Sequence, residues 1–248
     1  MSCLVFCASA LLAALSSADA ITVLLNSRNS VSAKKFDEAK ALVMREAEAG
    51  NPIQQFVVGV TSDDKELAKR YLDASRKRIY TLAAEKDEPI AWYLISMEKN
   101  DVKLLRRAAD GGCVHALNAL GTMAITEAFA QNRASNVVNN VSNRLEDVLH
   151  TSYECFRKAA AQRDPNGFIN LGTCYLRGFG CQQDFGMAFA CFKAAAEAGH
   201  PEGMDNMSAC YQFGHGVEKN SELSLYWGMR GRAARGSEAA AKWLEERK

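Results

Sequence analysis

The sequence predicts an all-α fold: an α/α superhelix, a solenoid of stacked helix–turn–helix repeats. Three observations predict it. The stretch DPNGFINLGTCYLRGFG at 164–180 returns 36 residues later as HPEGMDNMSACYQFGHG at 200–216, keeping proline, cysteine, tyrosine and both terminal glycines. All four prolines, Pro52, Pro89, Pro165 and Pro201, follow an Ala-rich, helix-favouring stretch and precede an apolar one. Beyond each junction apolar residues recur at helical spacing, as in Phe168, Leu171, Gly172 and Tyr175, which makes one buried stripe about two turns long. A helix pair of this length cannot bury both its apolar faces alone, so neighbouring pairs must stack.

Residues 1–20, MSCLVFCASALLAALSSADA, are expected to be a cleaved secretory signal. Cys3 to Leu15 is an apolar run of h-region length, and Ala18-Asp19-Ala20 is an A-x-A-like end. The run is too short to cross a membrane as a helix, and no Lys or Arg precedes it. The alternative is a first solenoid helix packed on the next repeat. Residues 21–122 read as divergent helical repeats, opened by a helix that Ser32 caps and that buries Phe36, Ala39 and Val43.

Helix–turn–helix junctions are expected near 51, 88, 112, 164, 200 and 236. At each one a Gly, Asn or Asp stops a helix, and a proline, or Val114 in its place, opens the next. A first-turn residue has no intrahelical acceptor for its N–H, so proline costs nothing there. The spacings are 37, 24, 52, 36 and 36. The short unit has only Asn100-Asp101 between its helices. The long one holds its excess in 123–152, a helix extension and loop insertion centred on QNRASNVVNNVSNR at 131–144. Gly178-Phe179-Gly180 and Gly214-His215-Gly216 punctuate loops, with Asp184 and Asn220 as N-caps of the helices that follow. Gly172 is placed in close helix contact and Asn170 on the outer face. Residues 237–248 form a polar-backed capping helix with Trp243 and Leu244 inward.

The segment NLGTCYLRGFGCQQDFGMAFACFKAAAEAGHPEG resembles the Sel-1-like repeat, a tetratricopeptide-related helical hairpin. That family's pattern is Leu-Gly-x-x-Tyr-x-x-Gly-x-Gly-Val, then Asp, then a Tyr/Phe-rich helix ending in Ala-Ala-x-x-Gly. Residues 153–236 match it as two well-formed repeats, and Val217 restores the valine that Cys181 replaces. Residues 33–122 match at the junctions, as EAEAGNP and RRAADGGCVHALNALG. The resemblance implies a curved superhelix serving as a scaffold or adaptor. It also implies that proline-headed helices line the binding face, where Asn166, Asn170, Thr173 and Arg177 form one polar strip and Glu202, Asn206 and Gln212 lie near the next. The expected partner is another protein or peptide, bound by a monomer.

Composition narrows the function classes. The formal charge of +1 gives no global footprint for nucleic acid or an anionic membrane. The basic run Lys69, Arg70, Arg76, Lys77 and Arg78 is diluted by acids and reads as a solvated helix face. No Cys-x-x-Cys occurs and the four histidines are scattered, so zinc-ligand spacing is absent and no cofactor is expected. His115, His200 and His215 read as exposed polar residues. Gly178-Phe179-Gly180 lacks the preceding strand and the lysine of a phosphate cradle. Ser32-Ala33-Lys34-Lys35 fits Ser-x-x-Lys, but neither Ser-Asp-Asn nor Lys-Thr-Gly accompanies it. Some cysteine-rich relatives in the resembled family are linked to penicillin binding or β-lactam hydrolysis, which leaves a weak cell-wall or β-lactam-directed hydrolase as the alternative to a non-enzymatic scaffold. A cytosolic adaptor without a signal is the third reading. Asn140-Val-Ser142 and Asn206-Met-Ser208 are sequons only in a eukaryotic secretory pathway.

The cysteines allow one further expectation. Cys155 lies ten residues before Pro165 and Cys174 nine after it, and Cys191 and Cys210 straddle Pro201 identically. Positions equidistant from an antiparallel turn sit side by side. In an exported, oxidising setting Cys155–Cys174 and Cys191–Cys210 are therefore the expected disulfides, provided the side chains face each other. The alternative is reduced, buried cysteines serving as small core residues.

Overall fold

The computed structural model describes residues 20, 21, 24, 25, 33–134 and 141–247, with side chains left undescribed at 33, 35, 131–134 and 141–144. The expected leader up to residue 19, Ser32 and Asn140 lie outside them. Among the described residues there are twelve helices and no strand. None of these helices is long and apolar enough to cross a membrane.

The helices alternate between first and second members of hairpins. They are α1 (Ala33–Glu48), α2 (Pro52–Thr61), α3 (Lys65–Lys86), α4 (Pro89–Lys99), α5 (Val102–Asp110), α6 (Val114–Ala134), α7 (Val141–Ala161), α8 (Pro165–Arg177), α9 (Phe185–Glu197), α10 (Pro201–Phe213), α11 (Ser221–Ala234) and α12 (Glu238–Glu245). Every expected junction is present. The excess of the long unit goes into α6 and α7, which both reach 21 residues.

One backbone device serves all six junctions. A residue with positive φ stops the helix: Gly50, Asp87, Gly112, Arg163, Gly199 and Gly236. The next residue folds its N–H back to a carbonyl of the last helical turn, as in Asn51 to Glu46 at 3.0 Å, Cys113 to Ala108 at 2.9 Å and His200 to Ala195 at 3.0 Å. That same residue then starts the following helix as its N-cap. Stop and start share two residues, so the two helices leave the corner in a fixed geometry.

The Gly-x-Gly loops do more than punctuate. Gly178 and Gly214 are the left-handed C-caps of α8 and α10. The second glycine of each loop, Gly180 or Gly216, also has positive φ and lies against the second helix of the preceding hairpin. A side chain at Gly180 would overlap the Leu149 carbonyl, and one at Gly216 the Phe185 carbonyl. Asp184 and Asn220 cap α9 and α11 as expected, each accepting an N–H three residues on at 2.9 Å.

The core runs the length of the chain in three clusters. The first holds Phe56, Ile79, Leu94 and Leu117. The second joins Phe156, Leu171, Cys174 and Cys191. The third joins Phe192, Met204, Met207 and Cys210. Each large side chain removed from water in these clusters contributes about 1.5–3 kcal/mol.

Candidate functional site

Solenoid stacking brings the junctions of successive hairpins level along one edge. There they enclose a groove of about 670 Å³. The N-cap residues Asn51, Glu88, Cys113 and Asp164 all line it, with Ile53, Ile90 and Val114 from the first turns beside them and Ile21 at one end. The groove thus crosses four consecutive helix starts, those of α2, α4, α6 and α8.

Three of the four N-caps are occupied by their own helices. Asn51 Oδ1 accepts the Ile53 N–H at 3.1 Å. The Cys113 sulfur faces the N–H groups of Ala116 and His115, and burial still pushes its thiol pKa up. Asp164 is 8% exposed. Its Oδ2 accepts from the Gly167 N–H and from Asn118 Nδ2, both at 2.7 Å. Glu88 differs. Its side chain makes no cap bond and no ion pair with a described residue, although Glu88 is only half-exposed.

The groove walls are held by bonds between hairpins. Gln162 Nε2 donates to Gly112 O at 2.9 Å, tying the third junction to the fourth. Asn170 Nδ2 donates to Asn118 Oδ1 at 3.3 Å, so Asn118 links both Asp164 and Asn170. His115 stacks on Tyr93 with ring centroids 5.6 Å apart. Burial lowers the His115 pKa, and the nearby Asp164 charge opposes that shift. Beside the groove, Arg107 lies over the Trp92 ring at 4.3 Å and bonds Asp87 at 3.0 Å. Bonds from Trp92 and Arg107 hold the Asp87 carboxyl below its ordinary pKa.

The seven strip residues expected from the sequence lie elsewhere, and none lines the groove. Arg177, Glu202 and Gln212 are exposed, while Asn166, Asn170, Thr173 and Asn206 are half-buried. Two of them are engaged internally: Asn170 with Asn118, and Thr173 Oγ1 with Ile169 O at 2.9 Å. Asn170 is therefore not an outer-face residue. The histidine expectation also needs correction. His115, His200 and His215 are half-buried, and His215 stacks on Phe185 at 4.9 Å. Successive hairpins bring aromatic partners over the His115 and His215 rings, and single-repeat spacing does not reveal that.

The expected disulfides are not formed: Cys113, Cys155, Cys174, Cys181, Cys191 and Cys210 are free. The physical reason is facing. Cys155 packs against the first cluster. Cys174 and Cys191 lie in the second, with Cys181 against it, and Cys210 lies in the third. Mirror placement about a junction sets the height of two cysteines correctly. In a solenoid, however, each helix seals two cores, and the members of each pair turn to different ones. Burial pushes the thiol pKa of Cys174 up to about 12, with Cys181 and Cys191 adding to the shift. It pushes Cys191 and Cys210 up to about 11.

The Sel1 repeat family profile matches residues 148–164, 169–200 and 201–228. Those three segments are Sel1 repeats. The matched segments are the second half of α7 and the hairpins α8–α9 and α10–α11. The match does not extend to α1–α5, which nevertheless repeat the Sel1 junction geometry. Two solved structures are similar. A Sel1 repeat protein from Oxalobacter formigenes is 27% identical, with 54% of this chain and 90% of that one covered and a TM-score of 0.43. A protective antigen of uropathogenic Escherichia coli displaying an SLR fold is 19% identical, with a TM-score of 0.51. The second likeness covers 84% of this chain and 47% of that one, and it shows the fold alone. No curated protein matches.

Proposed function

We propose that this Sel1-repeat chain is a non-enzymatic interaction scaffold that holds an extended segment of another protein in the junction groove. The observation that carries the reading is the continuity of the groove across four helix starts. Solenoids bind partners along surfaces that successive repeats build together. Four helix starts at packing distances of about 8–10 Å each span about 25–30 Å. Helix starts set level along one line suit an extended segment, which would meet them one after another. The groove, rather than the seven-residue strip, is proposed as the primary surface, because Asn170 and Thr173 are spent on internal bonds. We further propose that the chain is exported, on the strength of the apolar run and A-x-A-like end of residues 1–20.

A photo-crosslinking amino acid in place of Ile90, in the groove, and separately in place of Gln212, on the strip, tests this reading in the native host. Partner adducts from position 90 and none from 212 are expected. Adducts from 212 alone would discard the groove.

A further inference from the structure

We infer that the segment held in the groove carries a basic side chain among apolar ones, and that its cationic group pairs with Glu88. This rests on the groove being the interaction surface and adds the chemistry of what it takes. The groove floor is a row of four N-caps, and three are already bonded within the fold: Asn51 to Ile53, Cys113 to the first turn of α6, and Asp164 to Gly167 and Asn118. Glu88 is the exception, with a side chain that makes no cap bond. It is half-exposed and has apolar neighbours along the groove, Ile53 and Ile90 to one side and Val114 to the other.

An ionised carboxylate between apolar walls loses part of its hydration, and a docking chain would strip the rest. Covering it without a partner is costly, whereas pairing it recovers the loss. The first turn of α4 supplies no bond to this side chain. Among the described residues no cation forms an ion pair with Glu88. His115 is held below its ordinary pKa by burial, and Arg107 is committed to Asp87 and Trp92. Arg163, on the far rim, is exposed, and an exposed charge needs no partner. A ligand carboxylate at the same place would face the Glu88 charge, and like charges across an interface are strongly disfavoured. The apolar rungs Ile53, Ile90 and Val114 sit at helix-packing intervals of about 8–10 Å. That is close to one turn of a polyproline II segment, three residues at about 3.1 Å each, so every third side chain of the segment would return to the groove as an apolar one, with the basic one beside it.

Calorimetric titration of the full chain with three capped nonapeptides tests this. Each has leucine at every third position and differs at one adjacent central site: lysine, norleucine or glutamate. The lysine peptide is expected to bind at least about tenfold more tightly than the norleucine peptide, and the glutamate peptide most weakly. In Glu88→Gln the lysine advantage should vanish, and the norleucine peptide should bind more tightly than it does to the parent, because no carboxylate is left to lose its hydration. That variant alters a half-exposed side chain without a bond of its own, and an unchanged melting temperature will verify the fold. Equal binding of the lysine and norleucine peptides, or a lysine advantage that survives Glu88→Gln, would overturn the cation while leaving the groove standing. Failure of all three to bind would overturn the groove reading itself.

Discussion

Phe192 lies against the Cα of Gly172, so closely that a methyl group at 172 would sit 2.7 Å from its ring. These two residues are the joint between α8 and α9. One period later both residues at the joint are small. Ser208 stands where Gly172 stood, Gly228 replaces the phenylalanine, and Ser208 Oγ donates to Ser224 O at 2.7 Å. Gly59 with Leu72 and Gly121 with Phe156 repeat the first arrangement. A glycine facing a large side chain thus recurs in three hairpins, and the fourth pairs two small residues.

The joint predicts a graded response to crowding. Gly172→Leu is expected to destabilise by at least the about 1–3 kcal/mol typical of overpacking, because Phe192 is 1% exposed and has no free space to retreat into. Asn170→Ala, by contrast, removes one hydrogen bond to Asn118, worth about 0.5–1.5 kcal/mol. Urea midpoints will rank the two. Equal midpoints would show that Phe192 can swing away.

Left-handed corners predict two opposite glycine effects. Arg163 holds φ 62° without being glycine, whereas Gly199 holds φ 83° in the equivalent corner with open space around it. A left-handed conformation costs an ordinary residue about 1–2 kcal/mol. Gly199→Ala should lower stability by about 1 kcal/mol. Arg163→Gly should raise it by somewhat less, since glycine also gains freedom in the unfolded chain. Thermal melts of both variants against the parent will give the signs.

His115 predicts a pH effect. Its folded pKa is lowered by burial, so the unfolded chain binds the proton at higher pH than the folded one does. Stability is therefore fully present above the unfolded value of about 6.5 and is lost as pH falls below it. The melting temperature should drop between pH 7 and pH 5, and His115→Phe, which keeps a ring against Tyr93, should flatten that part of the drop. An identical pH profile in the variant would remove His115 from the account.

Thiol reactivity predicts an order. The thiolate is the reacting form, and burial raises the pKa of Cys174, Cys191 and Cys210 furthest. Under native conditions an alkylating reagent should label the half-buried Cys155 and Cys181 first and those three only on unfolding. Peptide mapping without reductant that finds Cys155–Cys174 or Cys191–Cys210 would reverse the facing assigned to these helices.

Most of the architecture was legible because its signals are local. Proline after a left-handed residue, an Asp or Asn N-cap and a Gly-x-Gly loop act within a few residues, and all six junctions fell where they were expected. Helix faces were less legible. Asn170 reads as outward from its own repeat, but its partner Asn118 is 52 residues away. The same limit applied to the cysteines, whose repeat spacing gives height along the helix and not which of two cores each one enters. The groove left no motif. It arises where junctions spaced 37, 24 and 52 residues apart are stacked level, and the one hint was that Glu88 is the N-cap least suited to capping.

The most direct test of the central claim is the affinity of a captured partner for two variants of the full chain. One carries Glu88→Lys in the groove, and the other carries Arg177→Ala, Glu202→Ala and Gln212→Ala on the exposed strip. The account predicts binding at least about tenfold weaker for the groove variant, at an unchanged melting temperature, and full affinity for the strip variant. Full affinity for the groove variant with loss for the strip variant would contradict it.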